Sequence, residues 1–362
     1  DPQGALQQVF SEELDIAGEK TPVNSAAGLP RPDLILVNDQ DLAYAKIRLD
    51  PKSLEFAAEN IALVPDALTR RVLMSAAWDM TRVGEMPATR FLDLAMLDLQ
   101  VEDSISALTA ILSQVDQAVT SFVAPQNRAA REESVAEKLK TLAEAAEPRT
   151  DQQPLLDEAL ARRAFTPQQN QFLQTLRAGT KTLPGLDVDL DLSWDFLFAL
   201  VRGGIAGETE IAQQLSSDPT LTGQENAARA RATVDSDQVR RETWDAIMHD
   251  SSIPNDRLWS MARGFWSHAA VSPVVYEPFV EAFFDQLVRS WNAHTFQIAS
   301  GLVSFMFPKA LTGYLPAARV PERALRWLEE HPEQPESLRR LLSEQLSDAE
   351  RMLVAQRCDA ND

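Results

Sequence analysis

Over residues 105–122, apolar residues recur every three or four positions, a spacing that places them on one face of an α-helix. The positions are Ile105, Leu108, Leu112, Val115, Val119 and Phe122. The same spacing returns near the end of the 362-residue chain, at Leu338, Leu342, Leu346, Ala349 and Leu353. With only 13 glycines and 3 tyrosines, the composition also disfavours an all-β fold. The chain is therefore predicted to be mainly helical.

Helix boundaries recur at short intervals along the rest of the chain. The sequence Thr166-Pro167-Gln168-Gln169 predicts a helix that begins with a capping box and a proline in its first turn. Short breaks between helices of one to two dozen residues are typical of antiparallel helix pairs stacked in series. We expect residues 33–362 to form an all-α superhelix of the HEAT or armadillo kind, nearly all helical from about Asp39 onward.

The first 32 residues have a different character. The stretch from Leu6 to Ile16 alternates loosely between apolar and polar residues, and glycines and prolines interrupt residues 18–32. This pattern predicts one or two short strands and a linker, with residues 34–37 (Leu-Ile-Leu-Val) as a buried extended run. Residues 1–32 are thus expected to form a segment separate from the helical domain.

Charge and composition exclude several classes of function. The 34 basic and 54 acidic residues give a net charge of −20, which disfavours binding to phosphate backbones. No run approaches the roughly 18 apolar residues of a membrane helix. The single cysteine, Cys358, cannot form an internal disulfide and fits a reducing compartment. We therefore expect a cytoplasmic protein that binds neither nucleic acid nor membrane.

No motif of a catalytic centre occurs in the sequence. None of the four histidines has a partner histidine three or four residues away, so no zinc-binding helix is predicted. Asp187, Asp189 and Asp191 alternate with apolar residues, a pattern that fits either an edge strand or an extended lead into the next helix. A calcium loop is disfavoured because the bidentate glutamate of such loops is missing. The chain alone is predicted to have no catalytic residues and no bound metal.

Several segments resemble the actinobacterial branch of the aminopeptidase N family of zinc metallopeptidases, the gluzincins. They are PDLILVNDQDLAYAKIRLD at residues 32–50, SAAWDMTR at 75–82, EMPA at 85–88, WL at 327–328 and PESLRR at 335–340. The resemblance runs from about residue 10 to the last residues and is weakest at residues 128–183. It places the chain in the C-terminal helical domain, which is similar to that of the endoplasmic-reticulum aminopeptidases.

The resemblance implies the activity of a larger parent protein. The family removes N-terminal amino acids from peptides with a zinc ion held by a His-Glu-x-x-His motif and a downstream glutamate. A Gly-Ala-Met-Glu-Asn segment holds the free amine of the substrate. None of these elements has a counterpart in this sequence. The resemblance therefore implies that zinc and the catalytic residues belong to missing domains of the same polypeptide, and that residues 1–32 are the tail of a truncated β-sandwich.

In that family the helical domain caps the active-site chamber and gates the access of peptides. The resemblance implies the same role here. Asp79 and Arg82 are three residues apart on one predicted helix face, where they can pair with each other. We expect either a structural contact between helices or a place in the chamber wall or at an interdomain contact. The alternative function is a free-standing α-solenoid that serves as a scaffold for proteins or peptides.

Overall fold

The computed structural model describes residues 6–315 and 319–361. Helices are the only regular secondary structure among these residues, which confirms the predicted all-α fold. They are α1 (Pro51–Asn60), α2 (Ala67–Arg82), α3 (Ala88–Asp98), α4 (Ile105–Gln117), α5 (Pro125–Ala145), α6 (Gln152–Arg163), α7 (Pro167–Arg177), α8 (Leu190–Arg202), α9 (Glu208–Ser217), α10 (Leu221–Ala232), α11 (Asp237–His249), α12 (Asn255–Phe265), α13 (Glu277–Ala293), α14 (Phe296–Met306), α15 (Val320–Glu330) and α16 (Glu336–Ala360). No helix in these ranges is both long and apolar enough to span a bilayer.

The helices form two layers of a superhelix. In the first layer each even-numbered helix packs on the next, from α4 through α6, α8, α10, α12 and α14 to α16. The odd-numbered helices α5, α7, α9, α11, α13 and α15 form the second layer, each packed on an even-numbered neighbour. Stacking in two layers buries the apolar side chains of these helices against each other.

Local signals in the sequence begin α7 and α8. Thr166 accepts a hydrogen bond from the backbone N–H of Gln169, and the Gln169 side chain bonds back, which completes the predicted capping box of α7. Asp189 caps the first turn of α8 through the N–H of Leu192 at 2.9 Å. This resolves the two alternatives for residues 186–192, since no edge strand forms and the segment leads into a helix.

Small residues set the closest approach between helices. A Cβ atom at Gly264 of α12 would lie 2.4 Å from the carbonyl oxygen of Arg229 and 2.8 Å from the Cβ of Ala232 on α10. Ala227 and Ala230 are also buried along α10. Larger side chains at these positions would separate the two helices, which explains why so alanine-rich a segment lies within the first layer.

The last helix closes the stack onto its beginning. Leu338, Leu342 and Leu346 lie in the core of α11–α15, whereas Met352 and Ala355 lie in the core of α1–α8. Helix α16 therefore packs against α14 and α15 and also against α2, α3 and α5. These contacts of α16 go beyond the packing of each pair on its sequence neighbours that is typical of a solenoid. The last helix is long enough, at 25 residues, to join both cores.

Neither the strands predicted before residue 33 nor the helix predicted from about Asp39 is present in residues 6–50. Residues 6–50, which we call the arm, contain no strand and only one 3₁₀ turn at Asn24–Ala26, and helix begins at Pro51 instead of near Asp39. A lone extended segment has no neighbouring strand to supply the hydrogen bonds of a sheet. The run at residues 34–37 is not buried, since Ile35 and Val37 are 42% and 54% exposed. The domain boundary at residue 32 stays a prediction, and residues 1–5 lie outside the described ranges.

Truncating a side chain in the predicted stripe of α4 should destabilise the whole chain. Leu108, Leu112, Val115 and Val119 are all buried, as predicted. We expect Leu112→Ala to lower the free energy of unfolding by about 2–5 kcal/mol, because it removes buried methyl groups and leaves a cavity. Urea denaturation followed by circular dichroism measures this loss. The exposed Leu221 of α10 provides the control, and a similar loss for Leu221→Ala would contradict the assigned core.

Candidate functional site

The two residues singled out in the sequence lie on α2 but do not pair. Asp79 and Arg82 are both half-buried. Within the described ranges no hydrogen bond or ion pair joins them. Arg82 ends α2, where a positive charge is favoured by the helix dipole. That Asp79 and Arg82 lie in a chamber wall or at an interdomain contact stays a prediction.

The neighbouring Trp78 has a structural role. Its ring lies 5.1 Å from the ring of Phe91 on α3 and 5.5 Å from that of Phe122. Tilted aromatic pairs at these distances stabilise packing beyond the area that they bury. Trp78 therefore fixes α2 against α3 and against the π-helical turn Ala118–Phe122 that follows α4.

A strip of charged side chains extends across five helices of both layers, and the sequence did not reveal it. We call it the inner charged strip. It joins α4, α5, α6, α8 and α10, and its members are Asp116, Arg128, Glu132, Arg163, Asp195, Arg202 and Arg229. Each member influences the ionisation of at least one other.

The middle of the strip is an ion-paired group beneath the surface. Arg163 of α6 lies 2.9 Å from a carboxylate oxygen of Asp116 and 3.4 Å from one of Glu132. Glu132 and Arg163 are buried. Burial raises the pKa of the Glu132 carboxyl, and the positive charges of Arg163 and Arg128 oppose that rise. The group joins α4, α5 and α6 through charge in addition to their apolar contacts.

One end of the strip meets the loop that follows α14. The guanidinium of Arg128 lies 4.4 Å from the ring centroid of Tyr314 and donates to its hydroxyl oxygen. It also donates to the carbonyl of Val123 at 2.8 Å. Burial raises the pKa of the Tyr314 hydroxyl to about 12, so this hydroxyl stays protonated at neutral pH. The contact joins residues that are 186 positions apart in the sequence.

The side chain of Arg202, the last residue of α8, lies at the C-terminus of α6. Its guanidinium donates to the carbonyls of Ala161, Arg162 and Ala164 at 2.9–3.0 Å. It also lies 4.2 Å from the ring centroid of Phe165. Burial, and then the nearby charge of Arg163, lowers the pKa of Arg202. These carbonyls form the negative end of the α6 dipole. Arg202, a residue of α8, therefore supplies hydrogen bonds and a positive charge to the C-terminus of α6.

The other end of the strip is more open. Arg229 of α10 lies 4.0 Å from the ring centroid of Phe198, and Asp195 of α8 is within its electrostatic range. Burial, and then the negative charge of Glu158, raises the pKa of Asp195 to about 6. Asp195, Arg202 and Arg229 are half-buried and keep contact with solvent. The exposed part of the strip therefore presents both signs of charge.

The strip has the chemistry of a binding or structural surface. It contains no histidine, serine or cysteine that could act as a nucleophile beside a base. Among residues 6–315 and 319–361, no group of three or more histidine, cysteine or carboxylate side chains is arranged to hold a metal ion. The zinc that the family resemblance implies therefore does not fit the described residues.

A separate groove of about 870 Å³ lies between α9, α10, α11 and α12. Its lining is mostly apolar and includes Leu215, Val234 and Met261. On the rim Arg231 forms a forked ion pair with Glu208 at 2.6–3.2 Å. The groove contains no member of the inner charged strip, so the two features are independent.

Comparison with known proteins identifies the family of this chain. The sequence profile of the ERAP1-like C-terminal domain matches residues 34–351, which include every described helix except the end of α16. The chain belongs to this family. It is also 32% identical over 364 residues to a curated protein of Streptomyces lividans, Aminopeptidase N. This alignment covers 99% of the chain and 41% of that protein.

In this ERAP1-like C-terminal domain, the inner charged strip and the groove both lie within the matched residues. Residues 6–33, the larger part of the arm, lie outside them. The chain spans about two fifths of the length of the curated relative, which leaves room in such a protein for further domains. It is therefore a C-terminal domain of the kind found in an aminopeptidase N-like enzyme.

Proposed function

We propose that this chain is the non-catalytic C-terminal domain of a zinc aminopeptidase that removes N-terminal amino acids from peptides. In this proposal it caps the chamber around the active site and gates the access of substrates. The zinc ligands and the catalytic residues belong to the preceding domains of the same polypeptide. The observation that carries the proposal is the family match over residues 34–351, combined with alignment to 41% of the Aminopeptidase N sequence.

The packing of α16 on the early helices supports the proposed role of this domain as a wall of the active-site chamber. Helix α16 and the contact between Arg128 and Tyr314 join the two ends of the superhelix. A wall of this kind excludes water and limits the space for substrate without contributing a catalytic group. The net charge of −20 would attract peptides that carry a free ammonium group. The open end of the strip, at Asp195 and Arg229, is our candidate for the chamber lining.

The arm at residues 6–50 supports a partner within the same polypeptide. Val9, Ile16 and Leu42 are each at least 75% exposed, and Leu34 and Leu36 pack against the core. Apolar side chains spaced along an exposed segment indicate a surface that another domain covers. We propose that the catalytic and β domains of the parent protein cover this arm, and that residues 1–32 complete a β-sandwich there. A cytoplasmic location is part of the same proposal.

Deleting residues 33–362 from the parent enzyme should change catalysis on peptides more than on small substrates. Long peptides need the closed chamber for positioning, whereas an aminoacyl anilide needs less of it. We expect the truncated enzyme to retain zinc, to lose more kcat/KM on peptides than on the anilide, and to lose its dependence on peptide length. The measurement is kcat/KM over peptides of increasing length. An unchanged length dependence in a soluble, zinc-loaded truncation would reject gating.

A point variant tests the same idea within the intact enzyme. Arg82→Ala should weaken the length dependence in the same direction as the deletion but less strongly. Arg340→Ala is the control, because Arg340 is exposed on α16 and pairs with its own helix neighbour Glu344. Equal effects of Arg82→Ala and Arg340→Ala on the length dependence would contradict a place for Arg82 in the chamber wall. A parent sequence without a zinc-binding motif, together with peptide binding by the chain, would favour the scaffold function instead.

A further inference from the structure

One carboxyl group is buried without a hydrogen-bond partner among the described residues. Asp157 of α6 is 0% exposed, and neither of its carboxylate oxygens accepts a hydrogen bond from a described residue. An ionised carboxylate without a hydrogen bond or a counter-ion is very costly inside a protein, so such a group normally binds a proton. The function proposed above makes no use of Asp157.

The charged side chains around α6 are engaged elsewhere. On α6 itself, Arg163 pairs with Asp116 of α4 and Glu132 of α5, and Arg162 pairs with Glu158. These contacts draw both arginines of the helix away from Asp157. No cation of α6 therefore compensates a negative charge at that position.

The other helices packed on α6 bring no compensating charge either. Arg202 of α8 donates to backbone carbonyls at the end of α6. The charged group of α5 that influences Asp157 is Glu144, whose carboxylate is negative, as an ionised Asp157 would be. Glu144 itself pairs with Lys181 at 2.8 Å. Burial, and then the charge of Glu144, raises the pKa of Asp157 to about 7.

A second unsatisfied group lies one helical turn away. Gln153 precedes Asp157 by four residues, so the two side chains share one face of α6. Gln153 is 1% exposed, and its side-chain oxygen Oε1 has no donor among the described residues. A neutral carboxylic acid has one O–H to donate and needs an acceptor, whereas the amide oxygen needs a donor. A protonated Asp157 carboxyl and the Gln153 oxygen are therefore complementary as donor and acceptor.

We propose that Asp157 and Gln153 form a proton-dependent lock that holds α6 in the core of the domain. In the locked state the neutral Asp157 carboxyl donates its proton to Oε1 of Gln153. When the O–H bond breaks, the proton passes to solvent and the electron pair stays on the carboxylate. The fold then contains an uncompensated buried charge beside an unsatisfied amide oxygen, and the packing of α6 against α5 and α8 loosens.

The direction of the pH effect follows from proton binding. The pKa of Asp157 is raised from 3.8 in the unfolded chain to about 7 in the folded chain, so the folded state binds more protons between these values. The stability that Asp157 contributes is complete below pH 4 and is lost as the pH rises through 7. Replacing Asp157 with asparagine, whose amide donates to Gln153 without ionising, should abolish this loss.

Thermal unfolding across pH 4 to 8.5 tests the lock in the 362-residue chain. We expect Asp157→Asn to raise the unfolding midpoint by several degrees at pH 8.5 and to leave it nearly unchanged at pH 4. Asp187→Asn is the control, because Asp187 is exposed, and it should alter neither value. An equal rise at both pH values would overturn the proposal, since it would mean that Asp157 is ionised throughout.

Infrared spectroscopy tests the lock without depending on the stability of a variant. The unsubstituted chain should show the carbonyl band of a protonated carboxylic acid at pH 6, and this band should titrate away near pH 7. Gln153→Leu removes the acceptor and should move that titration to lower pH. Absence of the band at pH 6, or a titration that Gln153→Leu leaves in place, would overturn the proposal.

Discussion

Replacing Asp359 with alanine is expected to lower the free energy of unfolding by about 3–5 kcal/mol, because one buried carboxylate caps two helices. Asp359 lies near the end of α16 and is 1% exposed. Its oxygens accept hydrogen bonds from the backbone N–H of Thr89 at 2.7 Å and of Ala124 at 2.9 Å. Asn127 donates to the same carboxylate at 3.2 Å.

The size of the loss reflects the groups that the substitution leaves unsatisfied. Neither α3 nor α5 has a side-chain hydrogen bond from its own N-cap residue, so Asp359 supplies this function for both. Alanine would leave buried N–H groups without an acceptor, and the positive ends of two helix dipoles without a negative charge. Urea denaturation of the two proteins at neutral pH measures the difference.

A second aspartate on the same helix gives the matched control. Asp348 of α16 is 44% exposed and pairs with Arg351 at 2.8 Å. Exposed ion pairs contribute about 0–1 kcal/mol, so Asp348→Ala should change stability little. The loss of stability for Asp359→Asn should lie between those for Asp359→Ala and Asp348→Ala, since asparagine keeps one acceptor oxygen and loses the charge. Similar losses for Asp359→Ala and Asp348→Ala would contradict the capping role.

The difference between Asp348 and Asp359 also indicates how far sequence alone could predict this fold. The period of three or four residues correctly placed the buried face of α4 from Leu108 onward, because that pattern is local, although Ile105 in the first turn is 38% exposed. The capping box at Thr166 was correct for the same reason. The bonds of Asp359, in contrast, reach residues 235 and 270 positions away. Nothing in the neighbouring sequence distinguishes this aspartate from one in solvent.

The candidate site was less predictable than the fold for the same physical reason. Asp79 and Arg82 are near each other in sequence, yet they do not pair. The inner charged strip combines residues of five helices, and each of them alone resembles an ordinary surface charge in the sequence. The apolar residues of the arm predict strands. Strands need a neighbouring strand, and the described chain supplies none to the arm.

Replacing Arg70 with methionine should destabilise the chain by about 3–5 kcal/mol near pH 8, because two buried carboxylates then lose their counter-ion. The Nε atom of Arg70 lies 3.2 Å from Asp98, and its guanidinium lies 3.7 Å from Glu102. Arg70 also donates to the carbonyl of Val64 at 3.2 Å. All three charged residues are buried, so water cannot replace the lost partner.

The loss caused by Arg70→Met should depend on pH in a defined direction. Burial raises the pKa of Asp98 from 3.8 to about 6, and the charge of Arg70 opposes that rise. Without the arginine the folded-state pKa rises further, so the folded variant binds a proton that the unfolded chain releases above pH 4. The loss of stability caused by Arg70→Met should therefore be small at pH 5 and grow as the pH rises through 6 to 8.

Two further variants serve as controls for this trend. Arg340→Met, at an exposed site, should show no such trend. Adding Asp98→Asn to Arg70→Met should restore part of the stability at pH 8. A deficit that is equal at pH 5 and pH 8 would show that the two carboxylates do not depend on Arg70 for their charge.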